Sequence, residues 1–242
     1  MTEKTKQIEP IGEILFRKSK RARKLRITVK DSAQVIVTLP KSVSFAYAEK
    51  VARENTDWIL KYLSKIKKTE KPEIVFDEKT NFRTRYHKLL IEKSSSENIK
   101  IFVRDGIIKI EYPRFTDAAG DEVQQAVRIG IIEALRIEAK THLPKKVEAF
   151  AKKFHLSYNR VFIKNLKTRW GSCSNRNNIN LNLHLMRLPD KLIDYVILHE
   201  LAHTVEPNHG KGFWNFLETM TKDAKKIDKE LKLYSTNLFG KN

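Results

Sequence analysis

A single cysteine among 242 residues means that no internal disulfide can form, which excludes a disulfide-stapled secreted scaffold. Only 8 glycines and 7 prolines exclude collagen-like and low-complexity chains. No stretch approaches the ~18 uncharged apolar residues that a membrane helix needs, so no membrane partner is expected. The opening MTEKTKQIEPIGEILFRKSK lacks the ~7–15-residue apolar run of a secretory signal. The expected location is cytoplasmic. Acidic residues are also scarce, 29 against 48 Lys and Arg, for a formal charge of +19. Such a surface repels itself and attracts polyanions. Hydrophobic residues make up 40% of the chain, above the disordered regime. The length allows one large domain or two small ones, with a core that needs no disulfide.

The positive charge is unevenly spread. Arg17, Lys18, Lys20, Arg21, Arg23, Lys24, Arg26 and Lys30 follow one another with no acidic residue between Arg17 and Lys30. This is a candidate phosphate-binding patch, with Lys20, Arg21, Arg23 and Lys24 as expected nucleic-acid contacts. No zinc-finger or RNP-type motif accompanies it, so it is not a base reader. A generally Lys-rich composition is the competing account.

Residues 13–39 read as β-rich, through EILFR, LRITV and QVIVTLP, before Pro40. Ser42 or Ser44 then caps a helix through Lys67, with Phe45, Ala48, Val51, Ala52, Trp58, Ile59, Tyr62 and Leu63 as its apolar stripe. Trp58 is expected in the core. The polar run KIKKTEKPE, Lys65 to Glu73, reads as a connection. It predicts a basic β-rich region with a helix over 1–70 and a second domain over 71–242. Strand-like runs follow: EIVF, RYHKLLIEK, IKIFV and IIKIEY, the last two joined at Asp105-Gly106 as a hairpin. A helix is predicted over 121–154, with Pro144 starting or bending a turn. In NINLNLHLMRLP, Ile179, Leu181, Leu183 and Leu185 alternate with Asn180, Asn182, His184 and Met186, the period of a half-buried strand. Pro189 and Asp190 open a helix that Pro207 ends, and Phe213 to Leu231 reads as another. The fold class is α+β.

The chemistry lies in His199-Glu200-Leu201-Ala202-His203. Histidines at i and i+4 share one helical face and can bind one metal. Glu200, offset by one residue, is placed as a general base for water rather than as a ligand. The flanks Leu192, Ile193, Val196, Ile197, Leu198, Leu201, Ala202 and Val205 are apolar, and burying imidazoles there is costly without a partner. His209, six residues after His203, is the expected third ligand, with Pro207 breaking the helix between them. Metzincins share this spacing but place Gly where this chain has Glu206. Glu218, on the next helix, is the alternative third ligand. A bare HExxH recurs by chance on solvated helices; apolar flanks, a breaker and a third His together do not.

The segments Arg169-Trp170-Gly171-Ser172-Cys173-Ser174, INLNLHLMRLP, Asp194 to His203, Asn208-His209 and Phe213-Trp214 resemble the YgjP-like metallopeptidase domain, a group related to the SprT-like proteases. FRKSKRARKLRITV and VIVTLP resemble the amino-terminal sheet of that family. The resemblance is strongest from Lys167 to Leu217. It implies a zincin-like core over about 160–220, one Zn²⁺ per chain on His199, His203 and His209, Glu200 as acid/base, and a peptide or protein substrate. Glycine, usual at the family's turn near Asp31-Ser32-Ala33, is missing here.

Around that site, the strand Asn180 to Met186 is the candidate for pairing with an extended substrate. Asn180, Asn182 and His184 would then line the cleft, or the strand is simply half exposed. Arg169 meets a substrate carbonyl or carboxylate, or pairs with an acid such as Asp194. Trp170 and Trp214 are expected in the core and Cys173 as a small half-buried side chain. Tyr195 steadies an oxyanion or merely packs. The rival functions are a protease recruited by nucleic acid to cleave bound proteins, a hydrolase of non-peptide amides, and a non-catalytic binding module held by structural zinc.

Overall fold

The computed structural model describes residues 3–30, 32–68 and 74–239. They divide into two compact units, one running to Ile74 and taking in Phe239 as well, and one of Val75–Leu238. In the first, β1 (Glu3–Ile8), β2 (Gly12–Ser19), β3 (Arg26–Val29) and β4 (Val35–Pro40) form a sheet in the order β1-β2-β4-β3. Only β2 and β4 run parallel. Alternation along the strands turns Ile14, Phe16, Val35, Val37 and Leu39 into one core with Ala48, Ala52 and Ile59 of two helices.

Those helices are α1 (Phe45–Glu54) and α2 (Thr56–Lys68), where the stripe predicts one. Ser44 caps α1, its hydroxyl accepting the Tyr47 N–H at 3.1 Å. Asn55 makes the break: its side-chain amide donates to the Val51 carbonyl at 2.8 Å, competing with the helical ladder. Trp58 corrects the core expectation. It is 42% exposed and packs on Tyr62, ring centroids 4.7 Å apart, while Ile59 takes the inward position. Strand β1 escapes the hydropathy pattern because Ile8 is its one buried residue. At the turn before β4, Ala33 adopts φ 59°, a left-handed conformation that costs a non-glycine residue about 1–2 kcal/mol.

The second unit opens with Phe76, whose backbone N–H and C=O are held by the Gln124 side chain at 2.9 and 2.7 Å. Of the predicted strand EIVF, Glu73 lies outside the described residues, and Ile74 to Phe76 form no strand. β5 (Lys88–Ser94), β6 (Lys100–Arg104) and β7 (Ile107–Pro113) form a sheet ordered β5-β7-β6. Asp105 (φ 52°) and Gly106 (φ 75°) make the β6–β7 turn, both left-handed as a two-residue hairpin with matching twist requires. α3 (Asp121–Lys153) runs unbroken through Pro144. Leu135, Ala139, Leu143, Val147 and Ala151 are all buried along it, and that packing outweighs the lost hydrogen bond.

A small sheet comes next, β8 (Val161–Lys164), β9 (Gly171–Cys173) and β10 (Ile179–Asn182), ordered β8-β10-β9. The strand predicted through Met186 ends at Asn182. There the Asn182 side chain accepts the His184 N–H at 3.2 Å and turns the chain into a 3-10 helix, Leu183–Arg187. Leu183 to Met186 are all buried, not alternately exposed. α4 (Asp190–Ala202) carries the HELAH segment. It stops before Pro207, with the Thr204 hydroxyl donating to the Leu201 carbonyl at 2.7 Å. The last predicted helix is also two, α5 (Lys211–Met220) and α6 (Ala224–Leu231), separated at Asp223 with φ 60°. Among the described residues no helix is long and apolar enough to cross a membrane.

Candidate metal centre

α4 is buried on most of its circumference, and it presents His199 and His203 one turn apart toward the stretch that follows it. That stretch carries His209. One ligand atom from each of the three lies within 4.8 Å of the other two. His199 Nε2 and His209 Nε2 stand 2.9 Å apart. His203 Nδ1 faces the Glu206 carbonyl at 3.1 Å; a carbonyl only accepts, so Nδ1 carries the proton and Nε2 keeps its lone pair. The Phe213 ring packs against all three imidazoles at 4.5–4.9 Å.

Burial drives the His199 imidazole down to about 4, with the nearby His203 and His209 charges adding to the effect. Burial also lowers His203. Neutral imidazole is the ligand form. Convergent nitrogens, ligand-ready protonation and a ring oriented by a backbone carbonyl suit a divalent metal that prefers imidazole. Glu218, the alternative third ligand, is engaged elsewhere. Its two oxygens accept the N–H groups of Asp223 and Ala224 at 2.7 and 3.0 Å, capping α6.

Glu200 is 6% exposed and borders a cleft of about 440 Å³ together with the three histidines, Arg169 and β9. Burial pushes its carboxyl up to about 8, and the Arg169 charge and the Cys173 backbone N–H pull part of the way back. A carboxyl group so placed titrates near neutrality rather than as a surface charge.

Of the other residues singled out from the sequence, Arg169 does reach the cleft. Its proposed partner Asp194 instead holds Lys146 at 2.6 Å. Asn180, Asn182 and His184 are not cleft-lining side chains. The Asn180 amide donates to the Ser172 carbonyl and hydroxyl at 3.2 Å. The Asn182 amide donates to the Leu166 and Arg169 carbonyls at 2.8 Å. His184 is buried against Asn165 and Arg187. β10 is the central strand of its sheet, so neither edge is open to an added peptide; the strand beside the cleft with one unpaired edge is β9. At three residues β9 is too short to leave a periodic signal, and the cleft-lining role of Gly171, Ser172 and Cys173 escaped the sequence pattern. Burial, then the Glu200 charge, raises the Cys173 thiol. Tyr195 is buried, its hydroxyl donating to Asp228 at 3.4 Å. Trp170 and Trp214 are half-buried rather than core. Lys20, Arg21, Arg23 and Lys24 belong to the first unit and are exposed.

His184 makes a pH-dependent contribution to the fold. Arg187 Nη1 donates to its Nδ1 at 3.3 Å, and its Nε2 donates to Asn165 Oδ1 at 3.1 Å, which fixes the neutral tautomer. Burial, then the Arg187 charge, lowers it from 6.5 to about 4. Below pH ~6.5 the unfolded chain takes up a proton that the folded one refuses, so stability falls as pH drops toward about 4. The loss attributable to His184 is on the order of 2–3 kcal/mol at pH 4. Urea unfolding of chelator-treated protein at pH 7 and pH 4.5 measures it. His184→Asn should make the pH dependence shallower by about that amount, leaving the part that His199 contributes, and an equal slope in both proteins would refute the assignment.

A family model described as YgjP-like, metallopeptidase domain, matches residues 23–234. No curated protein matches the chain. Among solved structures, the metallopeptidase zymogen abylysin of Pyrococcus abyssi is similar at 23% identity over 38% of this chain and 93% of that one, TM-score 0.34. The zymogen jannalysin of Methanocaldococcus jannaschii is similar at 26% identity, over 38% and 92% of the two chains, TM-score 0.34. Wss1 from Saccharomyces cerevisiae is 16% identical, over 62% of this chain and 97% of that one, TM-score 0.29.

Proposed function

This chain belongs to the YgjP-like metallopeptidase domain family, and from that premise we propose that it is a zinc peptidase whose general base is Glu200. The observation that carries the reading is the convergence of three histidine nitrogens within 4.8 Å beside a buried carboxyl group in an open cleft. His199, His203 and His209 would hold the ion in a zincin-type core. When bound, a divalent metal supplies Lewis-acid polarisation of the scissile carbonyl and acidification of water. Glu200 takes a proton from the attacking water and delivers it to the leaving amine. Arg169, on the cleft wall, offers a cation to a substrate carbonyl or carboxylate. The edge of β9 away from β10, apart from the Cys173 N–H that faces Glu200, replaces β10 as the surface for main-chain pairing with an extended peptide, a mode with little side-chain preference.

Elemental analysis of protein purified without chelator should find about one zinc per chain. Hydrolysis of fluorescently labelled casein should stop after phenanthroline treatment and return when zinc is restored. Casein hydrolysis that persists in fully demetallated protein would sink the reading.

A second reading concerns recruitment. Strand pairing sets Arg17, Thr38 and Arg26 in one row across β2, β4 and β3, and the exposed Lys20, Arg21, Arg23 and Lys24 lie on the connection between β2 and β3. That arrangement suits a phosphate backbone, and would bring the peptidase to proteins bound on nucleic acid. Replacing the four loop residues with alanine should lower the slope of log affinity for labelled DNA against log salt by about 3–4. An unchanged slope, or no binding at low salt, would refute it.

A further inference from the structure

The backbone of β9 crosses the Glu200 carboxyl group at a distance that no side chain but hydrogen permits. A Cβ on Gly171 would lie 2.6 Å from Glu200 Oε1, 2.8 Å from its Cγ and 2.9 Å from its Cδ. Real Cβ atoms do not approach so closely, so with any other residue here something must move. The strand itself is fastened. Gly171 and Cys173 pair with Leu181 and Ile179 of β10. The Asn182 N–H donates to the Trp170 carbonyl at 2.8 Å. The side chains of Asn180 and Asn182 hold the Ser172 and Arg169 carbonyls at 3.2 and 2.8 Å. α4 is fastened as well, with Leu192, Ile193, Val196, Ile197 and Leu201 all buried. The group able to yield is the end of the Glu200 side chain. Two residues on, the Cys173 backbone N–H lies on the same side and draws the Glu200 carboxyl pKa down.

We propose that Gly171 is a positioning residue. With the Cys173 N–H it forms a backbone cradle that sets where the Glu200 carboxylate stands, and Asn180 and Asn182 hold that cradle in place. The inference rests on the reading of Glu200 as general base. It gives a use to the two asparagines that the alternating pattern had assigned to substrate. Alanine at 171 meets no backbone objection, since Gly171 is not among the glycines with positive φ. The three atoms nearest the added methyl group all belong to Glu200.

A double-substitution cycle tests this, read by thermal unfolding and by casein hydrolysis of the zinc-loaded protein. Gly171→Ala should lower the unfolding midpoint when Glu200 is present and leave it unchanged or higher in the Glu200→Ala background, where the space is open. In hydrolysis, Gly171→Ala should keep its zinc, hold KM within about twofold and lose on the order of 10²-fold in kcat, the scale of an ångström-sized displacement. If Gly171→Ala fails to fold but the double variant folds, the cradle stands. If both fail, or if the midpoint shifts equally in both backgrounds, the methyl group meets something other than Glu200 and the inference falls. Normal turnover in Gly171→Ala beside an inactive Glu200→Ala overturns the cradle alone. Full turnover in Glu200→Ala overturns the general base, while the thermal cycle still decides the contact.

Discussion

Glu200→Gln should retain its zinc and lose casein hydrolysis by about 10³-fold, because the amide fills the same space but takes no proton from water. The fold should not suffer. In the metal-free protein the carboxyl group is pushed up to about 8, chiefly by burial. A group that holds its proton more tightly folded than unfolded contributes stability fully present below pH ~4.5 and lost as pH rises through about 8. A neutral glutamine carries no such penalty, so the demetallated variant should melt no lower than the parent at pH 9. The measurement pairs kcat with metal content on the same samples. A non-catalytic module with structural zinc has no use for a base, and under that account this substitution changes neither quantity. Undiminished hydrolysis with normal zinc would remove Glu200 from the mechanism.

His209→Ala should bind zinc at least about 10²-fold more weakly, more than the loss typical when only a supporting contact to a ligand is removed. After dialysis its metal content should fall from about one per chain to a small fraction. His209 is exposed and lies beyond the end of α4, so its loss leaves the packing of that helix intact and the far-ultraviolet spectrum unchanged. Glu218→Ala is the control. It keeps its zinc but loses the cap on α6, at a cost of about 1 kcal/mol in stability. Should Glu218→Ala release the metal and His209→Ala hold it, the third ligand has been misassigned.

The donor cluster was legible because its logic is local. Spacing of i and i+4 puts His199 and His203 on one face, and a helix that stops lets His209 return, without knowledge of any distant residue. The hairpin at Asp105-Gly106 was legible for a similar reason, since left-handed backbone has strong residue preferences. What failed depended on partners far along the chain. Alternation carried the strand reading through Met186, yet the Asn182 side chain turns the backbone at that point and buries both faces. Asn180 and Asn182 looked like cleft residues, but their polarity serves carbonyls 8 to 16 positions upstream. Trp58 reads as core by composition, and one residue of helical phase gave that place to Ile59. Gly171 is the clearest case. Nothing in a short segment says that a glycine faces a carboxyl group 29 residues later.

The turn after α4 has one more consequence. His203 Nδ1 holds the Glu206 carbonyl, and ten positions separate His199 from His209, whose imidazoles meet at 2.9 Å. A cation on these rings would clasp a short exposed loop to the end of a buried helix. Removing it would release the loop and leave the helix. Amide hydrogen exchange should therefore report metal loss as faster exchange confined to residues 203–212, with the N-terminal turns of α4 still protected.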